Sequence, residues 1–245
     1  MQARVPAPVL IDVVLPGEWI QTRVQRLVVD AGLIVSFAFL MTLVAQIAIR
    51  IPTTTVPITG QTFGVLLTGG VLGSRRGPLT MVVYLSLGMV MPAFAPSSSL
   101  MADKNVHFIL PWSGTESFVW DLASGGYILG FILAAYLVGL LAERGWDRGS
   151  KVLVSMLVGN IAIYLVGLIW LALFIASATI PGTELTYYDA IAGSNVADKT
   201  LKGGLYPFIG GDAVKLFGAA MLLPGTWALV RWIKGEKNKD PDSTG

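Results

Sequence analysis

The sequence predicts an all-α membrane protein with six transmembrane helices and both termini on the cytoplasmic side. Three observations predict it: an excess of apolar residues, six apolar stretches separated by turn-forming residues, and a one-sided distribution of basic residues. Of the 245 residues, 54% are hydrophobic and 13% are charged, whereas a soluble domain carries about 25% charged residues. A core of this size does not need so much apolar surface, so the excess must face something other than water. The mean hydropathy of +0.69 agrees.

A membrane helix needs roughly 20 mostly apolar residues, because no water in the hydrocarbon core can satisfy its backbone. The first span is expected at 27–49, closed by Arg50, Ile51 and Pro52. The second, 62–72, is short and bounded by Gly60 and Gly73; Gly64, Gly69 and Gly70 suit close packing against neighbours. The third is expected at 78–94, with Pro78 suited to a first helical turn. The fourth, fifth and sixth are expected at 125–142, 152–178 and 207–233.

Charge placement supports the count. With both termini inside, the inner segments hold Arg4, Arg23, Arg26, Arg75, Arg76, Arg144, Arg148, Lys151, Arg231, Lys234, Lys237 and Lys239. The outer segments hold Arg50, Lys104, Lys199 and Lys202, and Lys215 falls inside a span. Twelve against four is a strong positive-inside bias. The organisation expected is a cytoplasmic N-terminal segment (1–26), a membrane domain (27–233) and a disordered cytoplasmic tail (234–245). The N-terminus, broken by Pro6, Pro8 and Pro16, does not read as a cleaved signal peptide. Two long segments face outward: 95–124, with His107, Trp112 and Trp120, and 179–206, with Pro181, Gly182, Tyr187 and Tyr188. Such length suggests a lid or binding loop, or a solvated loop with no role.

Several chemistries lack their parts. There is no cysteine, which excludes thiolate sites, and a single histidine, His107, so a multi-His metal centre or a His-based triad has almost nothing to work with. No GxxxxGK[ST], HExxH or GxSxG occurs. The chain therefore reads as a non-enzyme with no cofactor. A net charge of +2, not gathered into one patch, argues against a nucleic-acid partner.

Ionisable groups in membrane spans are costly, so each is a functional candidate. Asp212 and Lys215, in Pro207-Phe-Ile-Gly-Gly-Asp-Ala-Val-Lys, lie three apart on one helix face near the outer end of the sixth span. They could hold a ligand with an N–H donor region and an anionic end, or form a capping Asp paired with a Lys. Asn160 and Tyr164, four apart in the fifth span and followed by Trp170, could bridge helices or wall a pocket. Gln61 and Thr62 could be pocket polar groups or a helix start. Tyr127 follows Ser124-Gly-Gly, where bare backbone permits close ligand approach or an ordinary turn. Arg75 and Arg76 read as inner-loop anchors, and Asp30 as an anion favoured by the first-turn helix dipole. Gly32 with Ser36, and Ala38 with Thr42, are small residues at helical spacing. They suit packing within the monomer or docking of another membrane subunit.

The run Val56-Pro-Ile-Thr-Gly-Gln-Thr-Phe-Gly-Val-Leu-Leu-Thr-Gly-Gly-Val-Leu-Gly-Ser-Arg-Arg-Gly77 resembles the signature of BioY proteins, the biotin-specific S components of energy-coupling factor (ECF) transporters. The resemblance continues in Gly125-Gly-Tyr-Ile-Leu-Gly-Phe131, in Gly159-Asn-Ile-Ala-Ile-Tyr164 with Trp170, and in the block ending at Lys215. It implies a six-helix S-component fold that binds biotin from outside. It also implies a transmembrane T component and two ATPase subunits as partners in a prokaryotic plasma membrane. The Asp and Lys of the last block, which it implies contact the vitamin, fall on Asp212 and Lys215. A ureido ring that donates N–H bonds suits Asp212, a valerate carboxylate suits Lys215, and the apolar ring and chain suit Tyr127, Tyr164 or Trp170. The sequence departs from the family pattern at Ser124, at Gly211, and in the long segments before Gly125 and before Pro207. A stand-alone secondary transporter or channel for another small solute is the competing reading; it would want an ionisable coupling residue deep in the bilayer, and only Asp212 and Lys215 come near.

Overall fold

The structure is a computed structural model, and it describes residues 7–15, 21–51, 54–96, 107–109, 114–180 and 184–235. The chain is mostly helical. Helices α1 (Leu10–Val14), α2 (Arg23–Ala45), α3 (Gln61–Val90), α4 (Gly125–Ala142), α5 (Lys151–Ser177), α6 (Tyr187–Ala190), α7 (Val196–Gly204) and α8 (Ile209–Ile233) follow in order. Among the described residues, α2, α4, α5 and α8 are long and apolar enough to cross a membrane. Their outward faces are studded with large apolar side chains, such as Phe39, Leu165, Ile169 and Met221, as lipid contact requires.

Helix α3 takes up both the second and the third expected spans and folds back on itself. Gln61 Nε2 donates to the Tyr84 hydroxyl at 2.6 Å, although 23 residues separate them; a straight helix would place them roughly 34 Å apart. The reversal occurs at Gly73, whose φ of +83° breaks the helix and favours glycine. Glu143 Oε1 accepts from both the backbone N–H and the hydroxyl of Ser74, each at 2.8 Å. That satisfies donors left bare where the second arm begins. Helix α4 crosses directly over the turn: a Cβ on Gly139 would lie 2.3 Å from the Gly73 carbonyl carbon.

One end of the bundle is basic and tied together by the N-terminal segment. Arg76 donates to Asp12 and Asp30 at 2.7 Å each. Arg148 reaches Pro8 O, and Lys234 reaches Val13 O. Trp227 Nε1 donates to the buried Asp147 at 2.6 Å, with the Arg148 guanidinium 3.8 Å from the Trp227 ring centroid. Val9 and Leu10 of this strap are buried against the bundle. Asp30 lies in the second turn of α2, so the ion pair with Arg76 accounts for it, not the first-turn dipole; the first turn is closed by the Thr22–Gln25 capping box.

The opposite end departs from the expected all-α pattern. Helix α2 stops at Ala45, and β1 (Ala48–Arg50), β2 (Ile58–Thr59) and β3 (His107–Ile109) form an antiparallel sheet in the order β2-β1-β3. The first span is therefore helical only to Ala45. The third ends at Val90, and Phe94 pairs with Thr115 instead. Connecting backbone outside the helices still needs hydrogen-bond partners, and a small sheet supplies them. Trp112, Pro181, Gly182 and most of the expected tail lie outside the described residues. The four small residues of α2 divide between its faces. Ala38 and Thr42 are buried against the bundle, which removes them from any docking face, whereas Gly32 and Ser36 are exposed and nothing would meet a Cβ at Gly32.

Candidate functional site

At the end away from the basic cluster, α3, α4, α5 and α8 diverge around a cleft of ≈ 570 Å³, part of it open to solvent. The β1–β2 connection forms one lip through Val56, Pro57 and Thr59, and Phe94 and Phe208 add apolar wall.

Asp212 and Lys215 both line this cleft, one turn apart on α8. Asp212 is 5% exposed and is not the helix cap, because α8 begins at Ile209 after Phe208. Each of its carboxylate oxygens already has a donor: Lys215 Nζ reaches Oδ1 at 2.8 Å and the Tyr164 hydroxyl reaches Oδ2 at 2.6 Å. An ionised carboxylate has about four acceptor positions, so capacity remains for N–H groups arriving from the cleft. The Lys215 ammonium can likewise spare donors for an anion.

Tyr127 packs edge-on to Tyr164 with centroids 6.1 Å apart, and its hydroxyl donates to Gly204 O at 2.9 Å. Its ring therefore faces the cleft while its polar tip is engaged elsewhere. Gln61 starts α3 and also lines the cleft. Its amide is oriented from both sides, accepting from Thr59 Oγ1 at 2.8 Å and donating to Tyr84.

Two expected residues stand off the cleft wall. Trp170 lies one layer back, packed against Gly126 and donating through Nε1 to Leu122 O at 3.0 Å. It explains the second glycine of the pair, where a Cβ at Gly126 would sit 2.1 Å from Trp170 Cβ, while a Cβ at Gly125 would meet Val119 O at 2.1 Å. Asn160 lines a neighbouring apolar groove between α5 and α8, which shares Tyr164 and Asp212 with the cleft as a common wall. Asn160 Oδ1 is buried and has no hydrogen-bond partner among the described residues. The sequence reading missed Thr59, Phe131 and Phe208 as wall residues. Thr59 was within reach as part of the Ile-Thr-Gly-Gln run; the aromatics give no local signal that separates cleft wall from ordinary core. Among the described residues there is no cluster of potential metal ligands.

The sequence profile of the BioY family matches residues 20–232. The chain belongs to the BioY family. A probable biotin transporter BioY of Pyrococcus horikoshii is 34% identical over 60% of this chain and 76% of its own length. The biotin transporter BioY of Thermotoga maritima is 30% identical over 81% of this chain and 94% of its own. A crystal structure of the S-component for biotin from an ECF-type ABC transporter superposes with a TM-score of 0.54 at 19% identity, covering 89% of this chain and 96% of that one. That likeness shows the fold. With the apolar outward faces of α2, α4, α5 and α8, BioY membership makes this a multi-pass membrane protein and a transport component rather than an enzyme.

Proposed function

We propose that this BioY protein captures biotin in the cleft and serves as the S component of an ECF-type uptake transporter. The observation that carries the reading is the Asp212–Lys215–Tyr164 group at the wall of an apolar cleft. A carboxylate for ureido N–H groups and an ammonium for the valerate carboxylate match the two polar ends of biotin, and aromatic and aliphatic walls match its middle. Asp212 and Lys215 are the primary contacts, with Tyr164, Gln61 and the Tyr127 ring around them. Asn160 supports the shared wall from behind, and Trp170 backs the glycine pair beneath Tyr127.

In the membrane, α2, the two arms of α3, α4, α5 and α8 act as six crossings, with the basic end cytoplasmic and the cleft outside. The partners are a transmembrane T component and two ATPase subunits in a prokaryotic plasma membrane. The exposed Gly32 and Ser36 stripe of α2 is the part of the small-residue set that faces a partner. Titration of detergent-purified protein with biotin, and with other vitamins of similar size as controls, tests the assignment. Saturable binding of biotin alone is expected; equal binding of the controls, or none of biotin, removes it.

A further inference from the structure

Helix α7 ends in carbonyls that the helix itself cannot use, since the last four C=O groups of a helix lack intrahelical donors. Two of them, on adjacent glycines, are taken by hydroxyls from two different elements around the cleft. Gly203 O accepts from Thr54 in the β1–β2 connection, and Gly204 O accepts from Tyr127 on α4 at 2.9 Å. Both bonds are buried. The approach is close at one of the two positions: a Cβ on Gly204 would lie 2.4 Å from Leu171 Cδ2 and 2.5 Å from the Tyr127 hydroxyl, so these side chains would have to shift. At Gly203 the nearest atom to a Cβ is 3.6 Å away.

The far side of α7 is fixed independently. Lys199 is 6% exposed. It donates to Tyr188 O at 2.7 Å and to Ile191 O, and its ammonium lies 4.4 Å from the Tyr188 ring centroid. Ile191 is buried in the main core. The segment therefore has one firmly seated side, and its other end, packed on α5, meets the β1–β2 connection and α4 through these hydroxyl bonds; Thr54 Oγ1 also bonds Val56 N and O within its own loop.

We infer that α7 is a clamp across the cleft, and that Thr54 and Tyr127 are positioning residues whose hydroxyls govern how often the β1–β2 lip and α4 separate. The clamp sets the rate at which a ligand passes in and out more than its affinity once seated. Thr54 does not line the cleft, and the Tyr127 hydroxyl points to backbone. The role in ligand passage rests on the cleft being the biotin site; the clamp itself does not.

Two measurements on the full-length protein in detergent test it. The first is hydrogen exchange of the ligand-free protein at the α7 amides. Thr54→Val, which replaces the hydroxyl by a methyl of similar size, and Tyr127→Phe should each raise exchange there about 3- to 10-fold, the factor that one hydrogen bond of ordinary net worth supplies. Gly204→Ala should do the same, while Gly203→Ala stays like wild type. The second is the kinetics of biotin binding: Thr54→Val should speed association and dissociation by a similar factor while Kd moves by less than about threefold. Unchanged α7 exchange in both hydroxyl variants overturns the clamp whether or not biotin binds. Faster exchange with unchanged biotin kinetics overturns its role in passage. A wild-type protein that binds no biotin strikes the functional reading, and the exchange result still decides the clamp.

Discussion

Tyr164 on α5 and Asp212 on α8 are joined by a hydrogen bond of 2.6 Å, so one carboxylate oxygen of the site is oriented by a helix other than its own. With Lys215 on the other oxygen at 2.8 Å, the carboxylate plane is fixed before any ligand arrives, and less is lost in ordering it on binding. Asp212→Asn replaces one acceptor with a donor facing an arriving N–H. The expected loss is about 2–5 kcal/mol of binding, roughly 30- to 4,000-fold in Kd, read by calorimetric titration with biotin. Tyr164→Phe removes only the orienting bond and should weaken binding about 3- to 10-fold.

Lys215 has two separable effects. It neutralises a carboxylate that is 5% exposed, and in the proposed site it is the cation offered to the ligand's anionic end. Lys215→Met should lower stability, because breaking a buried pair by deleting one partner costs about 3–5 kcal/mol; the value here falls below that range, since the Lys215 side chain is 17% exposed. The binding effect is isolated with a ligand lacking the charge. Biotin amide should bind wild type more weakly than biotin does, while Lys215→Met should bind the two about equally. A variant that still prefers biotin would place the carboxylate elsewhere.

The parts of the fold legible in the sequence were those carried by local pattern. The apolar stretches of α4, α5 and α8 and the one-turn spacing of Asp212 and Lys215 came through because periodicity and spacing encode them. Gly73 was legible as a boundary, but the closeness of the two α3 arms depends on Gln61 meeting Tyr84 across 23 residues, and no local pattern reports that. The strands at the cleft end escaped because the β1 residues continue the apolar run of α2. The pairing of Tyr164 with Asp212 and the seating of Trp170 behind Gly126 are likewise contacts between distant helices. Sequence brought those residues forward as a group but could not say which face the cleft and which stand behind it.

The crossing of α4 over the α3 turn makes Gly139 the least substitutable position at the basic end. A methyl there would meet the Gly73 carbonyl carbon at 2.3 Å and Ser74 N at 2.4 Å, both backbone atoms. Overpacking of this kind typically costs about 1–3 kcal/mol and sometimes more. Gly139→Ala should therefore lower the thermal midpoint clearly in detergent. Gly145→Ala has open space but a φ of +81°, so it should show only the smaller backbone penalty of that region, about 1–2 kcal/mol.

Acid should loosen α7 from its N-terminal side. Asp198 accepts from Lys202 Nζ at 2.8 Å and from Ser194 N at 2.9 Å, and these bonds hold its pKa below the ordinary carboxylate value. A depressed folded-state pKa contributes stability that is present above the unfolded value and lost as pH falls through the folded one. Hydrogen exchange in α7, corrected for the intrinsic pH dependence, should thus rise below about pH 4. Asp198→Asn should show raised exchange already at neutral pH and no further acid response there.

Orientation follows from which end of the bundle holds the charges. Arg76, Arg148 and Lys234 converge on the N-terminal strap at one end, and basic residues flanking membrane spans stay on the cytoplasmic side. The cleft and α7 are at the other end, which the proposed function places outside. The chain contains no cysteine, which allows single cysteines to be read without background. Ala197 is exposed on α7 and Arg144 is exposed beyond the end of α4. In intact cells, Ala197→Cys should react with a membrane-impermeant maleimide, and Arg144→Cys should react only after permeabilisation. Labelling of both in intact cells, or of Arg144→Cys alone, would place the cleft on the wrong face of the membrane for capture from outside.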